Sequence, residues 1–367
     1  MTSQHDDLVH MRHALRLAER GLGDVAPNPA VGCVIVSTDG HIVGRGWTQP
    51  GGRPHAETVA LAEAKERARG ATAYVTLEPC AHHGATPPCA DALVQAQIAR
   101  VVGAVRDPDS RVAGKGFARL EAAGVAVTLG VLEAQAAALN LGFFKRVTEG
   151  RPLVALKIAQ SLDGYVADAN GNSKWITGER ARAHGHLLRG KYDAILVGIG
   201  TVLADDPALT SRLPGLARRS PRRIVLDSRL RLSPGSQLAR TAREHPVIVF
   251  TTANGGGEAL SALGVHIERV DRDAAGRPDV AAVLQALAKR GLTRLLVEGG
   301  PSVHAAFLER GLVDMLHIYG APLLIGGGGR PAVAPFGTSD LNAARRFTSI
   351  ERRTLGPDVL ETFTLTV

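Results

Sequence analysis

The sequence is poor in cysteine and in long apolar runs, and each shortage excludes a class of protein. Its 367 residues contain only Cys33, Cys80 and Cys89, too few and odd in number for a disulfide framework. No run of about 18 or more apolar residues occurs, so we expect no membrane-spanning helix. The first residues include acids and lack the apolar centre of a secretory signal, which favours a cytoplasmic location.

Charge is distributed unevenly along the chain. The chain has 43 basic and 35 acidic side chains, of which residues 1–150 hold 15 of each. Residues 151–367 therefore hold 28 basic and 20 acidic side chains. The whole excess of +8 therefore lies in the second half. It fits either a solvated arginine-rich surface or a site for anionic small molecules. Nucleic acid is disfavoured because the bases are scattered and aromatic residues make up only 4%.

The chain is long enough for two domains, and its pattern restarts at Glu149-Gly150-Arg151-Pro152. We therefore predict domains over 1–149 and 150–367. Strands and helices alternate in both, which predicts an α/β fold with largely parallel sheets. The predicted helices are 7–23, 55–69, 90–98, 116–123, 133–146, 178–190, 279–290 and 301–310. The predicted strands are 31–36, 41–44, 73–77, 101–105, 125–128, 153–158, 193–198, 223–227, 246–251, 294–297, 314–319 and 358–366.

One constellation in the first half has the composition of a zinc site. His55 opens a predicted helix, Cys80 follows a predicted strand, and Cys89 comes nine positions later. One imidazole and two thiolates bind Zn²⁺ tetrahedrally and leave a fourth position for water. Glu57 lies two residues after the histidine and is placed to move a proton between that water and a leaving amine.

Alternatives to this ligand set exist within the same stretch. The zinc nucleobase deaminases carry His-x-Glu and Pro-Cys-x-x-Cys, whereas here the second cysteine follows after nine positions rather than three. His82 and His83 lie between the two cysteines and are rival ligands. Cys33 lies among apolar neighbours in a predicted strand, so we expect a buried, inert thiol.

The second half carries two glycine motifs at strand ends. Gly198-Ile199-Gly200 follows a strand but lacks the third glycine of a dinucleotide fingerprint, so a Rossmann fold is disfavoured. Residues 298–302, Glu-Gly-Gly-Pro-Ser, join a strand to a helix. A glycine pair before a helix exposes backbone N–H groups to a phosphate. Lys157 and Asp163, within and just after the first strand of this half, are also predicted to contact its substrate.

Three segments of the first half together resemble a known family. They are 26–32 (Ala-Pro-Asn-Pro-Ala-Val-Gly), 55–57 (His-Ala-Glu) and 78–89 (Glu-Pro-Cys-Ala-His-His-Gly-Ala-Thr-Pro-Pro-Cys). The sequence is similar to the bifunctional deaminase/reductases of riboflavin biosynthesis. The resemblance implies a cytidine-deaminase-like first domain with His55, Cys80 and Cys89 as ligands of one Zn²⁺. It also implies Glu57 as the catalytic proton shuttle and Asn28 as a pyrimidine contact.

The resemblance extends over the second half, where it implies a dihydrofolate-reductase-like domain that uses NADPH. The cofactor contacts it implies are Ala159, Trp175, Thr201, Asp205, Gly300, Pro301 and Ser302, within a loop that runs on to Ala306. The contacts it implies for the ribose-phosphate substrate are Ser173, Arg189, Leu209, Arg212 and Glu298. Arginine suits a phosphate by charge and by its forked geometry.

The resemblance implies two successive reactions. The first is hydrolytic deamination of 2,5-diamino-6-(5-phosphoribosylamino)pyrimidin-4(3H)-one. The second is NADPH-dependent reduction of the ribosyl chain, which gives 5-amino-6-(5-phosphoribitylamino)uracil. We expect small phosphorylated pyrimidines as ligands, no nucleic acid, no membrane, and a homodimer or homotetramer. The alternative is a single-activity zinc deaminase with a degenerate reductase domain.

Overall fold

The computed structural model describes residues 4–82, 87–110, 113–337 and 340–366, and it divides into two compact units. They are Met1–Arg151 and Pro152–Val367. Within the described ranges, every helix falls short of the length and hydropathy that a bilayer crossing demands.

The first unit contains a five-stranded sheet flanked by helices. Its strands are β1 Gly32–Val36, β2 Ile42–Trp47, β3 Thr72–Val75, β4 Arg100–Gly103 and β5 Ala126–Leu129. Its helices are α1 Gln4–Ala18, α2 Ala56–Ala64, α3 Cys89–Gln95, α4 Lys115–Ala122, α5 Glu133–Leu139 and α6 Leu141–Glu149. The strand order is β2-β1-β3-β4-β5, with β1 antiparallel to both neighbours and β3, β4 and β5 parallel. The sheet of this unit is therefore mixed, and the prediction of a largely parallel sheet is wrong for it.

The second unit is built on a nine-stranded sheet and a separate two-stranded ribbon. Its strands are β6 Leu153–Ser161, β7 Tyr165–Ala167, β8 Ala194–Gly198, β9 Arg222–Leu226, β10 Val247–Thr251, β11 His266–Arg269, β12 Arg294–Gly299, β13 Met315–Ala321, β14 Arg330–Pro331, β15 Phe347–Leu355 and β16 Asp358–Leu365. Its helices are α7 Glu179–Arg189, α8 Ile199–Asp205, α9 Gln237–Arg240, α10 Glu258–Ala262, α11 Val280–Lys289 and α12 Pro301–Glu309.

The order of the large sheet places several strand ends side by side. It runs β11-β10-β9-β8-β12-β6-β13-β16-β15, parallel from β11 to β13 and antiparallel for the last two pairings. Strand β8 is buried along its whole length, as expected of a central parallel strand covered on both faces. Residues that follow β6, β8, β9 and β12 therefore meet at one edge, where open α/β sheets bind ligands.

Two sequence predictions fail for identifiable physical reasons. The single helix predicted over 133–146 is two helices, α5 and α6, which meet at Asn140. The Asn140 side chain accepts a hydrogen bond from the Ala30 amide and donates one to the Ala30 carbonyl, so it ties this junction to a distant loop. Strand β15 was not predicted, because nearly all of its side chains are exposed and no apolar alternation marks it.

Helix α2, which carries Glu57, packs directly on β2 because two glycines leave room for its backbone. A Cβ added at Gly46 would lie 2.0 Å from the Ala56 carbonyl oxygen, and one at Gly44 would lie 2.2 Å from that of Ala60. Neither approach is possible for any residue with a side chain. The contact fixes the start of α2, and with it the direction in which His55 and Glu57 project.

We expect Gly46→Ala to lower the free energy of unfolding of the first unit by about 1–3 kcal/mol, the usual range for overpacking. Urea unfolding measures the change. Gly185→Ala is the matched control, because nothing lies within 4 Å of that position in α7 and alanine is the better helix former. Equal stability of wild type and Gly46→Ala would contradict the close packing of α2 on β2.

Candidate active sites

Three metal-ligand side chains converge in the first unit. The Nδ1 atom of His55 lies 3.3 Å from the Sγ atom of Cys89 and 3.7 Å from that of Cys80. Tetrahedral Zn²⁺, with bonds of about 2.0–2.1 Å to nitrogen and 2.3 Å to sulfur, separates N and S by about 3.6 Å. Within the described ranges this trio is the one group of three or more His, Cys, Asp or Glu side chains spaced to hold a metal.

Each of the three ligands lies where a regular element begins or ends. His55 is the extended residue immediately before α2, Cys80 comes after β3, and Cys89 is the first residue of α3. The backbone N–H of Cys89 donates to the sulfur of Cys80 at 3.3 Å. A donated N–H stabilises a thiolate, so this hydrogen bond favours negative charge on the Cys80 sulfur.

The two thiols have opposite pKa shifts. The hydrogen bond from Cys89 is the largest cause that lowers the pKa of Cys80, to about 4. The same hydrogen bond, together with burial, raises the pKa of Cys89 well above its usual range. The first sulfur therefore becomes a thiolate readily, whereas the second does not do so beside it. A bound dication removes the remaining proton outright, which is the chemistry expected of a Cys₂His zinc set.

Glu57 lies beside this trio on the first turn of α2 and is almost fully buried. Burial raises the pKa of its carboxyl group to about 7, against the opposing charge of His55. A carboxyl group near that value can both accept and return a proton at neutral pH.

The remaining residues predicted for the first site have varied positions. Asn28 packs over Gly52, whose missing side chain makes room for the amide. Gly52 lies three residues before His55 and has φ of 86°. His82 is exposed and outside the ligand trio, Cys33 is fully buried, and His83 lies outside the described residues.

Glu78, two residues before Cys80, has a role that the sequence did not reveal. Its buried carboxylate accepts backbone N–H groups from Asp107, Gly114, Gly116 and Phe117, at distances of 3.3, 2.9, 2.8 and 3.4 Å. The partners lie 29–39 residues away along the chain, so no local motif indicates them. Glu78 fixes the loop that enters α4 against the segment that carries Cys80.

The second unit contains a cavity of about 810 Å³ at the carboxyl ends of β6, β8, β9 and β12, called the large cavity below. All of the predicted cofactor contacts line it. They are Ala159, Trp175, Thr201, Asp205, Gly300, Pro301 and Ser302. Helix α12 begins here at Pro301, and no side chain caps its first turn. Pro301 has no N–H, and Val303 and His304 donate theirs to the Gly300 carbonyl. Among the described hydrogen bonds, the N–H of Ser302 is therefore the one in this turn that is left to meet an anion such as a pyrophosphate.

A second cavity of about 440 Å³, the small cavity, adjoins the large one. Lys157, Ala159, Trp175 and Glu298 line both. Two molecules, one in each cavity, would therefore lie next to each other at these side chains. This arrangement fits a nicotinamide cofactor in one cavity and the compound it reduces in the other.

Glu298 is the centre of a buried charge cluster at this junction. It forms a two-point ion pair with Arg189, with Nε–Oε1 at 2.8 Å and Nη2–Oε2 at 2.9 Å. The charges of Arg189 and Lys157 outweigh burial and lower the pKa of Glu298 to about 2. Arg189 also donates to the Thr210 carbonyl at 3.0 Å. Most of the guanidinium of Arg189 is thus occupied within the protein.

The other predicted substrate contacts divide into two groups. Arg212 lines the small cavity, and Ser173 lines the large cavity. Of the described cavity-lining residues, neither set includes Leu209 or Asp163. Leu209 is buried in an apolar core cluster. The carboxylate of Asp163 accepts from the Ser161 hydroxyl and the backbone of Ile325 and Gly326, so it organises a loop.

Besides the predicted Arg189, helix α7 supplies two cavity residues that were not predicted from the sequence, Arg182 and His186. Arg182, His186 and Arg189 all line the small cavity and recur at intervals of four and three. That spacing places them on one face of the helix. The same spacing in the sequence could have been used to predict a basic face on α7. His186 contacts the Thr210 carbonyl through Nδ1 at 3.2 Å and approaches Arg212 through Nε2 at 3.4 Å. Arg182 lies over the ring of the exposed Trp175, 4.5 Å from its centroid.

Family models match both units of the chain. The "Cytidine and deoxycytidylate deaminase zinc-binding region" matches residues 4–105, and the "RibD C-terminal domain" matches residues 152–360. The chain is 43% identical to riboflavin biosynthesis protein RibD of Escherichia coli strain K12, with 96% of this chain and 98% of that protein covered. This chain belongs to the RibD family. The RibD of Bacillus amyloliquefaciens is 42% identical, with coverage of 95% and 94%.

Solved RibD structures have the same fold over the whole chain. Acinetobacter baumannii RibD has a TM-score of 0.88 at 40% identity and full coverage of both chains. A Thermotoga maritima structure is described as a diaminohydroxyphosphoribosylaminopyrimidine deaminase/5-amino-6-(5-phosphoribosylamino)uracil reductase. It has a TM-score of 0.87 at 36% identity, and 99% of each chain is covered. The predicted fold class is confirmed, and this RibD family member is a bifunctional deaminase/reductase of riboflavin biosynthesis.

We expect the protein to bind one zinc ion per chain, and Cys80→Ala or Cys89→Ala to abolish that binding. Two remaining ligands cannot complete a tetrahedral site. Elemental analysis of dialysed protein measures the stoichiometry. Cys33→Ala is the matched control because Cys33 is outside the trio. Stoichiometric zinc in both ligand variants would contradict this assignment.

Proposed function

We propose that the first unit deaminates 2,5-diamino-6-(5-phosphoribosylamino)pyrimidin-4(3H)-one. We propose that the second unit then reduces the ribosyl chain with NADPH to give 5-amino-6-(5-phosphoribitylamino)uracil. The observation that carries the proposal is the His55, Cys80 and Cys89 trio with Glu57 buried beside it. The two activities by which the 36%-identical Thermotoga structure is described support these substrates.

His55, Cys80 and Cys89 would hold the zinc ion of the first reaction. A zinc ion held there would lower the pKa of a water molecule and so supply a nucleophile at neutral pH. Glu57 takes up the proton of that water as its oxygen bonds to the carbon bearing the exocyclic amine. Glu57 then returns the proton to the amine as the carbon–nitrogen bond breaks and ammonia leaves. Its raised pKa suits both transfers.

NADPH would occupy the large cavity and the deaminated pyrimidine the small one. NADPH supplies the hydride of the second reaction. Lys157 borders both cavities, and burial lowers the pKa of its ammonium group. It is therefore placed to give a proton to the ribosyl oxygen as the sugar carbon is reduced. Glu298 holds Lys157 electrostatically, and the walls of the two cavities set donor and acceptor in line.

The phosphate of the substrate would lie against Arg212. The N–H groups of Arg189 are bonded to Glu298 and to the Thr210 carbonyl. Arg189 would therefore attract the phosphate by its positive charge more than by hydrogen bonds. Arg212 is exposed at the rim of the small cavity, and its guanidinium lies next to His186. Asn28 for the pyrimidine and Asp163 and Leu209 for the second substrate stay predictions, as do a homo-oligomeric state and a cytoplasmic location.

The Glu57→Gln variant tests whether the first unit carries out the deamination and the second unit the reduction. We expect ammonia release to fall about 10²–10⁴-fold, the usual contribution of a general acid–base group, with zinc content unchanged. The same variant should still oxidise NADPH at the wild-type rate when it is given the deaminated pyrimidine. Ammonia release within a few-fold of wild type would refute the role of Glu57. Loss of the reductase step as well would refute independent sites.

Arg212→Ala should raise KM for the deaminated substrate about tenfold and leave kcat nearly unchanged. A phosphate contact remote from the reacting carbon binds ground and transition states equally. Steady-state NADPH oxidation measures both constants. Arg218→Ala, which removes a charge outside both cavities, is the control. A fall in kcat at constant KM would contradict a phosphate-binding role.

A further inference from the structure

A short segment between α8 and β9 carries Arg212 to the rim of the small cavity. The segment comprises residues 209–212, Leu-Thr-Ser-Arg, and lies outside the helices and strands of the second unit. Leu209, at its start, is buried in an apolar core cluster. Arg212, at its end, is exposed and lines the small cavity. The position of Arg212 therefore depends on what holds the end of the segment.

One residue of α7, His186, contacts three successive residues of this segment. Its Nδ1 atom lies 3.2 Å from the Thr210 carbonyl oxygen, and the Ser211 hydroxyl donates to its backbone carbonyl at 2.9 Å. Its Nε2 atom lies 3.4 Å from both Nε and Nη2 of Arg212. Arg189, on the next turn of α7, donates to the same Thr210 carbonyl at 3.0 Å. The segment is thus held against one face of the helix.

These partners determine where the His186 ring carries its proton. A carbonyl oxygen only accepts hydrogen bonds, so the Nδ1 atom that faces Thr210 carries the hydrogen. Burial, followed by the charges of Arg189 and Arg212, lowers the pKa of His186, so the ring is neutral at pH 7 and Nε2 keeps its lone pair. The Nε and Nη2 groups of Arg212 are donors. Nε2 of His186 is therefore an acceptor for the Arg212 guanidinium.

An acceptor beside an exposed arginine strengthens the binding of an anion by that arginine. A free arginine side chain loses rotamer freedom when it binds a ligand, and this loss weakens the complex. A neighbour that already holds the guanidinium removes part of the loss before the ligand arrives. Contact with His186 involves Nε and Nη2 of Arg212. The remaining N–H donors of the guanidinium stay available to a phosphate.

We propose that His186 positions Arg212 for the substrate phosphate and thereby makes the second unit favour the phosphorylated pyrimidine over its dephosphorylated form. This inference rests on the proposed function, in which the deaminated pyrimidine occupies the small cavity with its phosphate against Arg212. His186 acts through Arg212 and is a positioning residue. It also lines the small cavity itself, so its action through Arg212 has to be separated from direct contact with the substrate.

Steady-state NADPH oxidation by the full-length protein with two substrates tests the inference. The substrates are the deaminated pyrimidine with its 5-phosphate and the same compound without it. We expect His186→Ala to raise KM for the phosphorylated substrate about three- to tenfold, as expected for one lost hydrogen bond to a charged group, with kcat nearly unchanged. KM for the dephosphorylated substrate should stay the same. In a protein that already carries Arg212→Ala, His186→Ala should add no further rise, because the two residues act as one unit.

Two conservative variants assign the effect to one nitrogen of the ring. His186→Gln places an amide oxygen near the position of Nε2, so it keeps an acceptor for Arg212 and should keep KM close to the wild-type value. His186→Asn keeps a donor near the position of Nδ1 and should resemble His186→Ala. Arg180→Ala is the control, because Arg180 is exposed on the same helix and is not among the described residues that line either cavity.

The outcomes separate the inference from the function beneath it. Additive effects of the His186 and Arg212 substitutions, an equal rise of KM for both substrates, or a KM for His186→Gln as high as that for His186→Ala would each overturn the inference. A fall in kcat at constant KM would do the same. If Arg212→Ala itself leaves KM unchanged, the proposed phosphate contact fails, and the inference with it. If wild type oxidises no NADPH with the deaminated pyrimidine, the proposed reductase function fails.

Discussion

A buried carboxylate at the end of a strand organises each of the two sites. Glu298 lies near the end of β12 with its side chain largely covered, and it holds Arg189 through two hydrogen bonds. Glu78 follows β3 and gathers four backbone N–H groups from one distant loop. A buried charge that loses its partner costs about 3–5 kcal/mol. Separating either carboxylate from its partners would therefore cost several kcal/mol of free energy, about 3–5 kcal/mol. The loops around each site are held in place for this reason.

The chemistry of the two sites uses this rigidity differently. The first site needs three ligand atoms within about half an ångström of a tetrahedral arrangement. Its two cysteines are linked by the hydrogen bond from the Cys89 N–H to the Cys80 sulfur. The second site needs two large molecules side by side. Glu298 serves there by pairing with Arg189 and by favouring the charged form of Lys157 against the effect of burial. Helix α7 then offers one basic face to the smaller cavity.

Much of this arrangement could be predicted from the sequence, because local rules govern it. His55, Cys80 and Cys89 are each adjacent to a strand end or a helix start, and parallel strands bring such positions together. The two glycines before α12 indicated a phosphate position by another local rule, because a glycine pair before a helix exposes backbone N–H groups. The longer helices and most of the sheet strands were predicted, but the short elements β7, β11, α8, α9 and α10 were not. Strand β15 was missed because its side chains are exposed on both faces.

The remainder depends on contacts between residues far apart in the chain. Glu78 and its amide partners are at least 29 residues apart, and Asn140 splits a helix by bonding to Ala30. His186 and Arg212 are 26 residues apart, and only the folded chain brings their side chains together. A sequence pattern contains no information about which loop a side chain will meet after folding.

The central claim is that two separate sites act in succession on one substrate. The most direct test is a time course with zinc-loaded protein, the diaminopyrimidine phosphate and NADPH, in which ammonia and NADPH are followed in the same sample. The account predicts ammonia without delay, NADPH oxidation after a lag, and equal amounts of each at completion. NADPH oxidation at full rate from the moment of mixing, before any ammonia appears, would contradict it.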